Sequence, residues 1–388
     1  MSDRTVGYRM SNSHFKELKE WSERKHELLI KYLDGFVRIL GGPSKGIIYY
    51  VDGFAGPGLY KDGGKGSPLR AVEFAQSIID RKYTLRCINV EENETHFENL
   101  QSVINPYNDI ATCFQGRFKN HIEVILSMVS DYPTIFFLDP FGIKGIEWDC
   151  LKPILTRQKI TEALIRINPT DISRLAGFSG SKAKEAVSKR DLLTKLYGFK
   201  SSHEWEKVWH SEGTEGLVKL YKRRILETIT GIRDHAYVCT YPIKTIQGKL
   251  KYFLLFSTCH PKGAILMSRI VYSREKSYDR DVKEYEKWIK ESDPNRQTDL
   301  FNDLYKRPTE EEIEELIVTQ LSSAIWIQCK GKNLSRNEIE MALLSDWFGK
   351  ASGSHYTQAL KKLENEEQII RKTGSISSDN TKFRFKDP

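Results

Sequence analysis

Four short runs in this chain are mostly apolar or β-branched: Ile47–Val51, Leu85–Val90, Thr134–Leu138 and Ala163–Ile167. A strand covered on both faces reads this way, because neither side of its pleat meets water. Between these runs the apolar positions return at helical spacing. Over residues 14–40 they are Phe15, Leu18, Trp21, Leu28, Leu29, Tyr32, Leu33, Phe36 and Ile39. That pattern predicts a helix, broken near Ser22 and ended by Gly41-Gly42-Pro43. Leu69, Val72, Phe74, Ala75, Ile78 and Ile79 mark a second helix, with Ser67 as its N-cap and Pro68 at its first position. Phe97, Leu100 and Ile104 mark a third, and Ala111–Phe114 reads as a weaker strand. Strands alternating with helices predict an α/β fold around a largely parallel sheet. Residues 170–230 are helical and rich in charge. His235–Tyr241 and Lys251–Thr258, on either side of the Gln247-Gly248 turn, predict an antiparallel hairpin that closes the sheet.

Beyond the hairpin the pattern changes. Ser273–Arg296 is charged and helical, then polar, and reads as a connector. Glu312, Ile313, Leu316, Ile317 and Leu321 then predict an amphipathic helix from Thr309. Ser335 caps a helix carrying Ile339, Leu343 and Leu344, and Ser354 starts a third through Leu360 and Leu363. Ile369–Lys372 and Lys382–Phe385 are short strands around a Gly/Ser turn. Three helices and a hairpin outline a winged helix. Its third helix and wing would present His355, Tyr356, Gln358, Lys361, Lys362, Arg371 and Lys372 to a phosphate backbone. The expected division is 1–45, a helical segment; 46–272, the sheet domain with its helical insert at 170–230; 273–308, a linker; and 309–388, the winged helix-turn-helix domain.

Composition bounds this picture without redirecting it. The 388 residues, 39% hydrophobic and 11% aromatic, suit an ordinary globular protein of two or three domains. A net charge of +8 permits a polyanionic partner without demanding one. The six cysteines are scattered with no C-x-x-C pair, so neither a disulfide framework nor a zinc site is expected, and no metal. Met1–Met10 lacks an apolar signal core, and no run of about 18 apolar residues occurs. A soluble cytoplasmic protein with no membrane contact is the expectation.

Candidate chemistry gathers where the strands end. Ile47–Val51 runs into Asp52-Gly53-Phe54-Ala55-Gly56-Pro57-Gly58, and ligands of open α/β sheets sit beyond such carboxyl ends. A dinucleotide fingerprint fails, because Lys61 stands where its third glycine belongs. A phosphate loop read on Gly64-Lys65 fails at Leu59. Acid-x-aromatic-x-Gly-x-Gly instead resembles the first motif of S-adenosylmethionine-dependent methyltransferases. That resemblance implies that Asp52, Gly53, Phe54, Gly56 and Gly58 hold the cofactor. Glu91 closes the second strand and is placed for ribose hydroxyls, with Glu92 a close rival. Asp139-Pro140-Phe141-Gly142 resembles the [DNS]-P-P-[YFW] motif of enzymes that methylate amines, although here the aromatic is third. The resemblance implies that Asp139 and the adjacent carbonyl accept hydrogen bonds from the amine while the aromatic stacks on a flipped-out base. Lys25 and His26 read as a solvated lysine and a surface histidine. The insert carries Lys182, Lys184, Lys189, Arg190 and Lys222-Arg223-Arg224, with Trp205 and Trp209 between, where substrate recognition would fit.

The pieces together are Arg24-Lys25-His26-Glu27-Leu28-Leu29, Tyr50 to Gly58, Gly66-Ser67-Pro68, Asp139-Pro140-Phe141-Gly142 and a terminal winged helix. This set resembles the three-Cys-motif partner protein (TcmP) family, best over residues 20–145. The resemblance implies a class I methyltransferase sheet of Rossmann-like form and a partner bearing a three-cysteine motif. The expected function is S-adenosylmethionine-dependent methylation of nucleic acid, DNA before RNA, at a base amino group. The alternative is a non-catalytic scaffold that docks DNA or the partner, with phage defence as the family context.

Overall fold

The computed structural model describes residues 17–40, 46–79, 84–181, 183–292 and 308–387. The stop at Gly41-Gly42-Pro43 and the connector's end at 293–307 lie outside them. The elements are α1 (Glu17–Leu40), β1 (Ile47–Asp52), α2 (Ser67–Ser77), β2 (Thr84–Glu91), α3 (Glu94–Ile104), β3 (Ala111–Gln115), α4 (Phe118–Met128), β4 (Thr134–Leu138), α5 (Trp148–Leu155) and β5 (Thr161–Ile167). The insert follows as α6 (Pro169–Ala176), α7 (Lys184–Tyr197) and α8 (His203–Thr230), then β6 (Tyr237–Lys244), β7 (Leu250–Thr258) and α9 (Pro261–Ser292). Last come α10 (Glu310–Cys329), β8 (Asn333–Ser335), α11 (Arg336–Ala342), α12 (Leu344–Trp347), α13 (Gly353–Asn365), β9 (Ile369–Arg371) and β10 (Lys382–Phe385).

Strands β1 to β7 form one sheet in the order β3-β2-β1-β4-β5-β7-β6. The first five pair in parallel, while β7 runs antiparallel between β5 and β6. This is a Rossmann-like, mostly parallel sheet, and its strand order reverses between β1 and β4. Helices cover both faces. One core packs β-strand residues such as Val51, Phe136 and Ile165 under α4 to α8; the other packs Tyr50, Phe137 and Leu164 under α1, α2, α3 and α9. Burial on both faces is what the uninterrupted apolar runs encode, at roughly 1.5–3 kcal/mol for each large side chain removed from water.

Four local readings change. Helix α1 runs unbroken past Ser22. Gly66, not Ser67, caps α2, because the Ser67 hydroxyl bonds to Asp52 instead. Residues 273–292 are helical as expected, but they continue α9 from Pro261 without a break at 272 and so do not begin a separate connector. Ser352, not Ser354, caps α13, since its hydroxyl accepts the His355 N–H in a capping box. The Ser335 cap is as expected, reinforced by Glu338.

The C-terminal elements have their own core and a three-stranded sheet ordered β8-β10-β9. They dock on α9. Arg269 Nη2 donates to both oxygens of Glu340 at 2.9 and 2.8 Å, and the Gly349 N–H donates to Ser268 Oγ at 3.0 Å. Glu314 of α10 accepts from Tyr272 Oη at 3.1 Å and Lys276 Nζ at 2.7 Å. Among the described residues no helix is long and apolar enough to cross a membrane.

Candidate functional site

The reversal between β1 and β4 opens a crevice at the carboxyl ends of these strands. Asp52 pairs opposite Phe137, so Asp139 emerges just beyond it on the same side of the pleat. The glycine turn begins where the Gly53 N–H donates to Phe137 O at 3.0 Å and the Ala55 N–H to Val90 O at 2.9 Å. Three strand ends, β1, β2 and β4, are thereby tied together by the turn.

Within the turn each residue has a distinct task. Asp52 has no exposed surface: Tyr50 Oη donates to it at 2.9 Å, the Phe54 N–H at 3.2 Å, and Ser67 supplies a further bond. Burial raises its pKa to about 6 despite these donors. As a direct cofactor contact Asp52 is therefore corrected; it shapes the turn from beneath, because Ile48, Tyr50 and Asp52 share the face under α1 and α2. Phe54 is likewise structural, 5.9 Å from Phe118 between ring centroids and packed where Gly145 leaves room for it. Gly53 sits against Leu138 and Phe118, with no room for a Cβ. Gly56 and Gly58 both adopt positive φ, +67° and +73°, but differ in surroundings. A Cβ on Gly58 would lie 2.7 Å from Val103 Cγ2, so this glycine serves the packing of the turn on α3. At Gly56 the nearest atom is Tyr60 Oη at 3.5 Å, which leaves its side of the backbone open to a ligand.

Glu91 is the member of its pair that reaches the turn. Its Oε2 accepts from the Gly56 N–H at 2.7 Å and its Oε1 from the Asn93 N–H at 2.7 Å. Glu92 points away and pairs with Arg117 at 2.6 Å. Tyr60 was not foreseen. It is half exposed, its hydroxyl lies beside Gly56, and burial followed by the charges of Asp139, Asp52 and Glu91 raises its pKa.

Asp139 is flanked by two cations. Lys25 Nζ of α1 bonds to its Oδ2, and Arg166 Nε of β5 lies 3.6 Å from its Oδ1. Burial opposes the charge on Asp139, but Lys25 and then Arg166 outweigh it and hold the carboxyl below its usual range. Arg166 Nη1 donates to Pro140 O at 2.7 Å, so the adjoining carbonyl is also engaged. The readings of Lys25 and His26 as surface residues are overturned: they are 6% and 4% exposed. Burial, then Lys25 and Arg70, lower the His26 pKa to about 3, so its imidazole is neutral. Phe141, by contrast, is 99% exposed, a bare ring near a carboxylate whose side chain is 18% exposed.

Elsewhere the candidates divide. Tyr356 is corrected: it is 6% exposed and packs in the C-terminal core with Leu360 and Leu363, so it faces no nucleic acid. His355 is buried too, bonded to Glu314 and Ser352. Lys361 and Lys372 are exposed; Lys362 Nζ donates to Thr319 Oγ1 at 3.3 Å, and Arg371 Nε to Glu364 at 3.2 Å. In the insert Trp205 is wholly buried, donating to Thr194 Oγ1 at 2.9 Å, so it belongs to the core and not to a recognition face. The Arg224 guanidinium stacks near Trp148 and Phe199, at 4.9 and 5.0 Å.

No protein-family model and no curated protein matches this chain. Among solved structures it is similar to an O-methyltransferase of Bacillus cereus in complex with SAH, at 12% identity over 64% of this chain and 92% of that one, TM-score 0.31. It is also similar to the O-methyltransferase TomG of Streptomyces achromogenes in complex with SAM, at 13% identity over 64% and 92%, TM-score 0.30. A protein of Legionella pneumophila aligns at 11% identity over 61% and 84%, TM-score 0.36. No residue role is carried across from scores of this size.

Proposed function

We propose that this protein is an S-adenosylmethionine-dependent methyltransferase whose acceptor is an amino group on a nucleic-acid base. The observation that carries the reading is the pairing, at the end of β4, of a partly buried carboxylate with a fully exposed aromatic ring. Asp139 Oδ1 lacks a hydrogen-bond partner and Phe141 lacks any cover. An unpartnered acceptor beside a bare ring suits a flat heterocycle that carries an N–H.

The glycine turn offers groups that would hold the cofactor. The open side of Gly56 and the Glu91 carboxylate would receive its amino-acid and ribose portions, and when bound it supplies an electrophilic methyl group on sulfur. The chain's own part is positioning. Asp139 Oδ1 and the second lone pair of Pro140 O would each accept one amine hydrogen, fixing the nitrogen lone pair on the line of transfer. Phe141 would stack on the base and exclude water from one of its faces. Asp52 maintains the turn on which the cofactor rests.

Recognition beyond the base falls to the basic insert and the C-terminal unit. The latter follows the helix, strand, helices, strand, strand order of a winged helix, and Lys361, Arg371 and Lys372 would meet a DNA backbone. Membership of the three-Cys-motif partner family, with a partner of that kind, belongs to the same proposal. The test is transfer of a labelled methyl group from S-adenosylmethionine to DNA, RNA and protein pools, using the native chain and Asp139→Asn. Label on a DNA base amino group, lost in the variant while cofactor binding persists, is expected. Label on protein alone refutes the acceptor class.

A second reading, a scaffold that binds without methylating, draws on one specific feature. Lys25 and Arg166 already engage both acceptors that would orient an amine. Cofactor binding with no transfer to any pool is the outcome that favours it.

A further inference from the structure

Buried polar atoms normally find partners, and a cluster that does not points to a missing ligand. Three such atoms belong to residues that meet around the acceptor motif: Asp139 Oδ1, Arg166 Nε and Tyr252 Oη. Alternation along β5 places Arg166 on the α1 face with Leu164, and alternation along β7 places Tyr252 there with Leu254 and Phe256. Tyr252 is 4% exposed. Its ring lies 4.8 Å from the Arg166 guanidinium carbon, and Asp139 contributes to the upward shift of its phenol. Arg166 is thus fixed at three points: Nη1 on Pro140 O at 2.7 Å, its plane over Tyr252, and Nε at 3.6 Å from Asp139 Oδ1, beyond hydrogen-bond reach. An acceptor and a donor stand side by side as a loose ion pair, neither of the two atoms making a hydrogen bond.

We propose that Asp139 and Arg166 form a matched acceptor–donor pair that reads the amidine edge of the acceptor base, an amino group beside an unprotonated ring nitrogen; this rests on the methyl-transfer reading above. An ionised carboxylate only accepts and a guanidinium only donates, so their order is fixed. The amino N–H goes to Asp139 and the ring nitrogen receives an Arg166 N–H. Adenine and cytosine carry this pattern on their Watson–Crick edge, guanine carries it only at N2 and N3, and thymine has no amino group. Simple amines and guanidines offer donors alone and would leave Arg166 facing a cation. A carboxamide side chain has the right pair of groups but no flat ring to cover Phe141. Water reaches neither atom in the free chain, so the base must displace a covering side chain.

The experiment uses the full chain, S-adenosylmethionine and single-stranded oligonucleotides containing adenine or cytosine. Matched oligonucleotides carry 1-deazaadenine, 7-deazaadenine or 3-deazacytosine, each of which lacks one ring nitrogen. Loss of a buried base contact of this kind is worth about 1–3 kcal/mol, so kcat/KM on one of the deaza bases is expected to fall roughly 5- to 150-fold. Arg166→Met should lose a similar factor on the ordinary base and little more on that deaza base. Arg166→Lys, which retains a donor, should recover part of the loss. Unchanged cofactor binding and thermal melting in the variants establish that they fold. Transfer that ignores every deaza substitution, or losses that multiply independently, would overturn the inference while leaving the methyltransferase reading intact, the two groups then serving only each other. Label confined to guanine oxygen or to protein amides also overturns it. Cofactor binding with no transfer to any nucleic acid would remove the underlying reading and this inference with it.

Discussion

Replacing Lys25 by methionine tests whether α1 is part of the site or merely covers it. The substitution removes the cation bonded to Asp139 Oδ2 while keeping most of the side-chain volume, in a position only 6% exposed. Burial already works against the Asp139 charge, and Lys25 is the larger of the two cations' contributions that overcome it. An opposite charge at contact shifts a carboxyl by about 1–3 pKa units, or about 1.4–4 kcal/mol. In the native chain the folded pKa lies below the unfolded one, so Asp139 stabilises the fold above the unfolded pKa and loses that contribution as pH falls through the folded pKa. In the variant only Arg166 opposes burial, and the folded pKa rises. The stability deficit of Lys25→Met is therefore largest at neutral pH and above. It shrinks as pH falls through the variant's Asp139 pKa and levels off below the native one. Urea unfolding at a series of pH values reads this directly. In the double variant Lys25→Met/Asp139→Asn the deficit relative to Asp139→Asn should be nearly flat. A pH-independent deficit in Lys25→Met, or one that grows in acid, would refute the reasoning.

Further expectations concern the turn and the C-terminal unit. Gly58→Ala combines a left-handed backbone penalty of about 1–2 kcal/mol with a contact 2.7 Å from Val103, whereas Gly56→Ala carries the backbone penalty alone. Gly58→Ala should therefore melt at the lower temperature of the two, and equal melting points would contradict the packing assigned to Gly58. Arg336 is 2% exposed and donates to Glu340, Thr357, Ile376 O and Gly353 O. Arg336→Met should destabilise the C-terminal unit by roughly 3–5 kcal/mol, the typical cost of breaking a buried pair from one side. Hydrogen exchange should accelerate across residues 310–387 and not in the sheet; unchanged exchange there would contradict it.

Much of this architecture was legible because it obeys a period. Strands β1, β4 and β5 are uninterrupted apolar runs, and such runs have few alternative readings. What one sequence conceals is direction. The motif implied that Asp52 holds the cofactor, whereas its alternation with Ile48 and Tyr50 places it on an inner face. Lys25 precedes Leu28 and Leu29 by three and four residues, so helical periodicity already put it on the buried stripe of α1; its charge argued otherwise. Its partner Asp139 lies 114 residues away, and no local pattern joins them. Tyr356 stands at the same spacing from Ala359 and Leu360, and here too an apparent surface chemistry outweighed the period. Strand β8 is only three residues long, too short for alternation to register. Ser67 illustrates competition between levels: a good capping residue was recruited by a buried acid.

The claim on which the rest depends is that the turn between β1 and α2 holds S-adenosylmethionine. Calorimetric titration of the purified chain with S-adenosylmethionine, beside Gly56→Ala, tests it most directly, because no acceptor need be known. Gly56→Ala fills the open side of the turn without striking α3, so loss of binding in a variant that still melts cooperatively would locate the cofactor there. The account predicts binding by the native chain and its loss in Gly56→Ala. No binding by the native chain, or equal binding by both, would contradict it.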